Sequence, residues 1–554
     1  MQSWGSSGGW RGGNQRQGPY GNYQYGNSSG STSSGYGAGG GVGVNLQAAQ
    51  FTTLPWPRKV ESFVARFMQL VIDARQEELA QALTIRGEDW SIKQELAKAL
   101  KQQSPTAIEN AVIAYFNSGG AATSFFTETG PLARHFEEPT KIKRNFVQFL
   151  SSYLIMLKLY CEGIMWGLTP KAKPIMTESL EYLQTCLKEW STIYCATRAE
   201  YETHVWMVPS YQYLLSFSRE QAVNIDAHFN TADNENVNKL VETLRKVFAE
   251  MVRERQKRAG FLATTTELVR CCLSMFQITL VENVLKNVQQ AAAAGGAGVP
   301  GGGGAFGGNR KGLPGFPTVG VPPSVSVTLA YYWGVVLVQS AKYSEAEGKI
   351  AWGYSQLVKS GSGSFFGGGS SSSGNGEQHL KHRRQMLFFL IPLRIRQGEL
   401  PKRELLKMYD LESTYGKIVE AIRSGDLVAY EQAAKEQTLI FVKLGIVNLM
   451  SQVKHIVTRQ FLRKIVENYI AELDATTSER AKSVKLSLGV VAKAFMSLAP
   501  HFSATDVEDA IAQQIAYGGI KGYLSVHHGK LVVPRTAAFP SIPDFSDALE
   551  QNNN

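Results

Sequence analysis

Two stretches near the C-terminal end of this 554-residue chain contain no aspartate or glutamate. Between Glu436 and Glu467 they hold Lys443, Lys454, Arg459, Arg463 and Lys464; between Ala510 and Pro543 they hold Lys521, Lys530 and Arg535, with His527 and His528 alongside. Cations clustered without carboxylates neutralise phosphates and release counterions, with a salt slope of about −0.7 per contact on single strands. Lys454, Arg459, Arg463, Lys464, Lys521, Lys530 and Arg535 are therefore the candidate nucleic-acid contacts. The binding they offer is sequence-tolerant, since no Asn/Gln/Arg cluster sits where base edges would be read, and Asp506, Glu508 and Asp509 would repel a phosphate backbone. The same charges have two other uses, as a solvated helix face or as a dock for an acidic peptide. The formal charge of +10, from 57 Lys+Arg against 47 Asp+Glu, agrees with a polyanion partner without requiring one.

Enzyme signatures are absent. The sequence contains no H-E-x-x-H, no G-x-S-x-G and no Walker loop. His135-Phe136-Glu137 has deaminase H-x-E spacing but no P-C-x-x-C comes after it. Gly302, Gly304 and Gly307 match G-x-G-x-x-G inside polyglycine, with no strand before and no helix after. His527-His528 reads as a turn in which the two side chains point apart, not as a metal site. No catalytic, cofactor-binding or metal-ligating residue is assigned, and no cofactor is expected. Cys161, Cys186, Cys195, Cys271 and Cys272 form no C-x-x-C pair and read as buried thiols of a reducing compartment. With no apolar h-region at the N-terminus and no apolar run long enough to span a bilayer, a soluble intracellular protein without membrane insertion is expected.

The cations need a frame. From Thr458 to Ile470 an apolar stripe of Leu462, Ile465, Val466 and Tyr469 predicts a helix with Arg459 and Arg463 on its other side. A second helix is predicted over Glu479 to Leu498, ending at Pro500, and a third opens on a Thr505-x-x-Glu508 capping box and closes at Gly518-Gly519. Ile520 to Val526 and Lys530 to Val533 are β-rich runs joined by His527-His528-Gly529, a hairpin. The order αααββ is that of a winged helix over residues 458–534. First helix and wing should present one positive face.

Upstream the chain predicts a mainly α fold. Residues 1–50, rich in Gly, Ser and Tyr, read as a disordered tail. Residues 51–290 read as helical repeats, with amphipathic stretches at Val60 to Arg75, Ile92 to Gln102, Lys141 to Tyr160, Pro174 to Ala196, Val237 to Arg258 and Thr265 to Gln289. A Gly/Pro-rich insertion occupies 291–323. Residues 324–457 resume the repeats, interrupted by a second insertion at 361–376; Gly334 and Ala346 let the helices Val325 to Gln339 and Tyr343 to Leu357 approach closely, as in a tetratricopeptide-type unit. A long helix from Thr438 to Val453 should feed the winged helix without a linker. Residues 535–554 read as a C-terminal tail.

A family resemblance is carried by particular residues. They are Tyr331-Tyr332-Trp333-Gly334 with Tyr343 and Ala346, Ile391-Pro392-Leu393-Arg394, Leu405-Leu406, and Ile422 to Leu427. The match continues through Phe441 to Ile446, Arg459 to Ile465, Gly518 to Leu524 and Lys530 to Val533. Over about 210 residues the chain resembles the PCI family, a TPR-like helical solenoid ending in a winged helix; the subgroup it is most similar to holds the PCI subunit of the TREX-2 mRNA export complex. The resemblance implies a non-catalytic scaffold in a hetero-oligomer, located in the nucleus at the nuclear pore. Its implied partners are a helical GANP/Sac-type scaffold subunit, a small acidic Sem/DSS-type subunit, and RNA, or DNA in its place. A signalosome-associated paralogue shares most of these motifs, so a structural subunit of a COP9-signalosome-like or proteasome-lid-like complex without RNA contact is the alternative.

Overall fold

The computed structural model describes residues 58–552 except 86–88, 118–123, 168, 199–204, 255–256, 296–320, 362–372, 477–481 and 499–501. The tail expected over 1–50 and most of both Gly-rich insertions lie outside the described residues.

The first block is helical: α1 (Arg58–Ile72), α2 (Gln76–Leu83), α3 (Trp90–Leu100), α4 (Pro105–Asn117), α5 (Pro139–Trp166), α6 (Ala172–Cys195), α7 (Val208–Phe229), α8 (Glu235–Arg253), α9 (Arg258–Ser274) and α10 (Ile278–Gly295). Pro139 opens α5, where a missing N–H costs nothing, and Gly167 at φ +62° closes it. The longest pair, α5 and α6, packs through aromatic rings: Phe149 lies 4.7 Å from Trp190, and Phe67 of α1 stacks 5.7 Å from Phe149. Asp226, buried near the end of α7, accepts from the backbone N–H groups of Asn236 and Val237 at 3.2 and 2.9 Å, so one helix supplies the N-terminal acceptor of the next.

The helix expected over Thr265 to Gln289 is in fact two. The chain reverses at Phe276, whose φ of +57° no helix accommodates, and α9 and α10 lie on either side. The Ala291 run, expected to begin the insertion, instead extends α10 to Gly295, as alanine's helix propensity favours.

The second block comprises α11 (Pro323–Gln339), α12 (Tyr343–Gly361), α13 (Ser373–Arg396), α14 (Arg403–Met408), a single π turn at Glu412–Gly416, α15 (Lys417–Ser424), α16 (Leu427–Glu436), α17 (Thr438–Leu444) and α18 (Val447–Thr476). The close approach expected of α11 and α12 is present: a Cβ on Gly334 would fall 2.2 Å from Ile350 Cγ1, and Ala346 is fully buried. The two blocks share one hydrophobic core. A buried ionic cluster helps join them: Glu267 of α9 takes Arg219 of α7 at 2.8 Å and Arg270 at 2.6 Å, and the Arg270 guanidinium lies 5.5 Å from the Tyr332 ring of α11.

The C-terminal unit departs from the expected boundaries in three places. The helix expected over Thr438 to Val453 breaks at Gly445 (φ +68°), and beyond the break runs one 30-residue helix, α18, containing the whole segment expected as the first winged-helix element. The second helix is shorter than expected. Ser483–Ser487 forms a strand, β1, buried on alternate residues, before α19 (Leu488–Leu498) begins. Val484 and Leu488 satisfy helical spacing, but Val484 and Leu486 also satisfy the two-residue period that the strand obeys. The third helix, α20 (Ala504–Ala516), is capped by Ser503 with Asp506, two residues before the Thr505/Glu508 pair.

β2 (Tyr523–Ser525) and β3 (Lys530–Pro534) form the expected hairpin, and β1 adds to the other side of β3, giving an antiparallel sheet of order β1-β3-β2. The segment expected as a C-terminal tail folds back as α21 (Ile542–Asn552), because Ile542, Phe545 and Leu549 form an apolar stripe and Ser541 accepts from the Asp544 N–H at its start.

Candidate nucleic-acid interface

The seven cations singled out from the sequence do not share one face. Arg459 is corrected outright. It is 2% exposed, its guanidinium lies 5.6 Å from the Phe539 ring and 6.0 Å from Phe545, and one Nη2 donates to the Pro540 carbonyl. Burial pulls its pKa down to about 10, with Arg463 adding a smaller repulsion. The helical stripe of Leu462, Ile465, Val466 and Tyr469 correctly marked the core side of α18. Arg459, three residues before Leu462 and seven before Val466, was expected to face water but lies on the flank of that stripe, where Phe539, Pro540 and Phe545 cover it.

Four others are committed to partners within the chain. Lys464 Nζ donates to the Ser424 carbonyl at 2.8 Å, closing the C-terminus of α15, where carbonyls attract a cation. Arg463 pairs with Glu467 one turn on at 2.6 Å, and Lys454 with Glu431 of α16 at 2.7 Å. Arg535 is paired with Asp474. Arg463 and Lys454 remain half exposed, so a phosphate reaching either competes with a carboxylate.

Lys521 and Lys530 are exposed, as expected. They belong to a surface that the strand pairing assembles. In the register, Lys485 and Tyr523 both oppose Val532, while Ser487 and Ser525 both oppose Lys530. Directly opposed residues share a sheet face, so Lys485, Ser487, Lys530, Val532, Tyr523 and Ser525 make the outer face, and Val484, Leu486, Leu531, Val533 and Leu524 make the inner one. Burial agrees, with Leu486, Leu531 and Val533 at 1% or less. None of residues 482–487 or 521–535 is acidic. Lys485 was missed because its segment reads as helix; the alternation in Ser483–Ser487 was the available signal.

His527 and His528 lie in the turn between β2 and β3, but their rings do not point apart: the centroids are 5.2 Å from each other. His135 is packed against α1: its Nε2 meets the Ile72 carbonyl at 2.8 Å in a site whose burial holds the imidazole below its ordinary pKa. The cysteines are all reduced, and burial raises every thiol; Cys161 and Cys272 are each pushed up to about 11.

Around the corner, α16, α18 and α20 enclose a groove of about 600 Å³ lined by Glu431, Lys454, His455, Phe502, Asp506 and Asp509. Its carboxylates, Glu431, Asp506 and Asp509, outnumber the one lysine, as the start of α20 implied, and disfavour phosphate there. Elsewhere on the helical stack, α17 exposes Leu439 (77%), Val442 (60%) and Ile440, continued by Val447 of α18. Among the described residues no helix is long and apolar enough to cross a membrane.

No family model matches the sequence. Enhanced ethylene response protein 5 of Arabidopsis thaliana is 24% identical over 290 residues, which is 52% of this chain and 59% of that protein. PCI domain-containing protein 2 of Xenopus laevis is 27% identical over 218 residues, 39% of this chain and 47% of the relative. Helical repeats running into a winged helix and relatives carrying the PCI name in several organisms agree. In sequence and in fold the chain is similar to PCI-domain proteins. The protein called CSN12 homolog in Neurospora crassa is also similar, at 24% over 228 residues, 40% of this chain and 46% of that one. The chain spans about half the length of these relatives. Helix α18 serves both parts, packing on α13, α15 and α16 of the repeats and on β1, α19 and α20 of the winged unit.

Proposed function

We propose that the chain is a non-catalytic scaffold subunit of a hetero-oligomeric PCI complex, of the TREX-2 mRNA-export kind, which binds nucleic acid through the outer face of its wing. The observation that carries this reading is the acid-free sheet face bearing Lys485 and Lys530 beside Lys521, while Lys454, Arg459, Arg463, Lys464 and Arg535 are engaged by internal partners. The exposed apolar residues of α17 suit a helical scaffold partner of the GANP/Sac type, laid into place by its own apolar stripe. A small acidic subunit of the Sem/DSS type and a location at the nuclear pore complete the reading. Relatives named PCI domain-containing protein 2 support the PCI scaffold part of the reading.

The test is fluorescence anisotropy of labelled RNA with the full chain and with a Lys485→Glu, Lys521→Glu, Lys530→Glu variant. Loss of affinity with an unchanged melting temperature supports the reading; equal affinity removes the RNA role.

The similarity to the CSN12 homologue favours a second reading, a signalosome-associated subunit without RNA contact. On that reading the same triple variant loses a protein from an affinity purification and the wild-type chain shows no RNA binding.

A further inference from the structure

Tyr523 is 60% exposed at the outer edge of the wing sheet. Its position is fixed by the strand before and beside it. Gly522 sits at φ +155°, a conformation side chains rarely adopt, and a Cβ there would fall 2.3 Å from the Val532 carbonyl oxygen. That close approach seats β2 tightly on β3 and leaves the Tyr523 ring on the outer face.

The register then surrounds the ring with cations. Lys485 lies in the same row, two strands away at about 10 Å by strand spacing, with the small Val532 between them. Lys530 occupies the next outward row of β3, between Ser487 and Ser525. Beyond the strand, Val526 is 60% exposed in the turn. An exposed ring with ammonium groups on two sides, hydroxyls between and no carboxylate on the three strands is the kind of arrangement by which proteins hold unpaired nucleotides: the ring stacks on a base and the cations track the backbone. A duplex hides its base faces and cannot use the ring.

Resting on the nucleic-acid reading above, we infer that Tyr523 is a base-stacking residue that makes the wing selective for single-stranded RNA. Lys485 and Lys530 act as flanking phosphate contacts. The bases are read by their faces, so no sequence is specified.

The experiment uses the full chain and two probes, a fluorescein-labelled single-stranded oligoadenylate and an RNA duplex of equal length. Tyr523→Ala weakens oligoadenylate binding about five- to a hundredfold, the span of a single stacking contact. Tyr523→Phe keeps most of the affinity, and neither change alters the duplex affinity. If Tyr523→Ala leaves oligoadenylate binding unchanged while Lys485→Glu and Lys530→Glu reduce it, the stacking role is overturned and the nucleic-acid reading stands. If the wild-type chain binds neither probe, the nucleic-acid reading falls and the stacking role with it. Displacement of oligoadenylate by a polyglutamate peptide whose own affinity depends equally on Tyr523 would also overturn the inference, by assigning the face to an acidic peptide. Because the ring is exposed, the melting temperature of Tyr523→Ala stays within about 1 °C of wild type, which separates lost stacking from lost fold.

Discussion

Arg396, on the last turn of α13, donates to Glu550, on the last helix of the chain, at 2.7 Å across a sequence separation of 154. The guanidinium is 1% exposed and also reaches Gln452 Oε1 at 3.0 Å and the Ser546 carbonyl. Ser546 in turn donates its hydroxyl to the Arg396 carbonyl, so each residue serves the other's backbone. Three segments, α13, α18 and α21, are thereby held at one buried charge.

Removing the carboxylate leaves that charge with neutral acceptors only. Glu550→Ala is expected to destabilise the protein by about 3 kcal/mol, the range for breaking one side of a buried pair, and Glu550→Gln by less because an acceptor remains. Chemical denaturation of the two variants checks the ranking.

Arg459 separates a structural cation from a binding one. Its Nε and Nη1 lack hydrogen-bond partners, so a long apolar side chain costs little there. Arg459→Met should match wild-type stability within about 1 kcal/mol, whereas Arg459→Glu puts an unpaired carboxylate against Phe539, Phe545 and the Pro540 carbonyl and should cost about 3 kcal/mol or more. Soluble yield and melting temperature report both. Neither variant is expected to change RNA affinity per folded molecule.

Lys93 is 3% exposed, its ammonium 4.7 Å from the Phe63 ring, and it donates to the Ala82 carbonyl. Burial lowers its pKa from 10.5 to about 8, with Asp89 opposing and Arg66 assisting. Between about pH 8 and 10.5 the unfolded chain binds a proton that the folded one has released, so stability from this group rises with pH across that window, and below it the full penalty applies. Lys93→Met should therefore raise the melting temperature at pH 7, and the gain should shrink by about pH 10. A gain that is the same at both values would show that folding leaves the Lys93 pKa unshifted.

At Gly334, the Cβ of alanine meets Ile350 Cγ1 at 2.2 Å and Cδ1 at 2.8 Å. Ile350 is itself fully buried. Gly334→Ala is expected to cost about 1 to 3 kcal/mol through overpacking, and the paired change Gly334→Ala with Ile350→Val to recover part of it. A double-mutant cycle measures the recovery.

Helical periodicity and the Gly/Pro punctuation carried most of the architecture, and the alternation around the His527 turn carried the hairpin. The errors had two physical sources. Where two periods fit the same residues, as at Val484 and Leu488, strand pairing with Val533 and Pro534 decided the matter, and that contact is remote in sequence. Arg459 was misplaced for a related reason. Charge patterning records which residues can face water, but it does not record that a later segment will cover them. The break at Gly445 was legible, since Leu444-Gly445-Ile446 has the glycine that a left-handed cap requires, and Gly425 at φ +69° closes α15 in the same way one repeat earlier.

Helix α18 spans 30 residues, about 45 Å, and belongs to the repeats at its beginning and to the winged unit at its end. One continuous element thus sets the orientation of the wing to the repeats: a change of about 5° in its axis displaces its far end by about 4 Å.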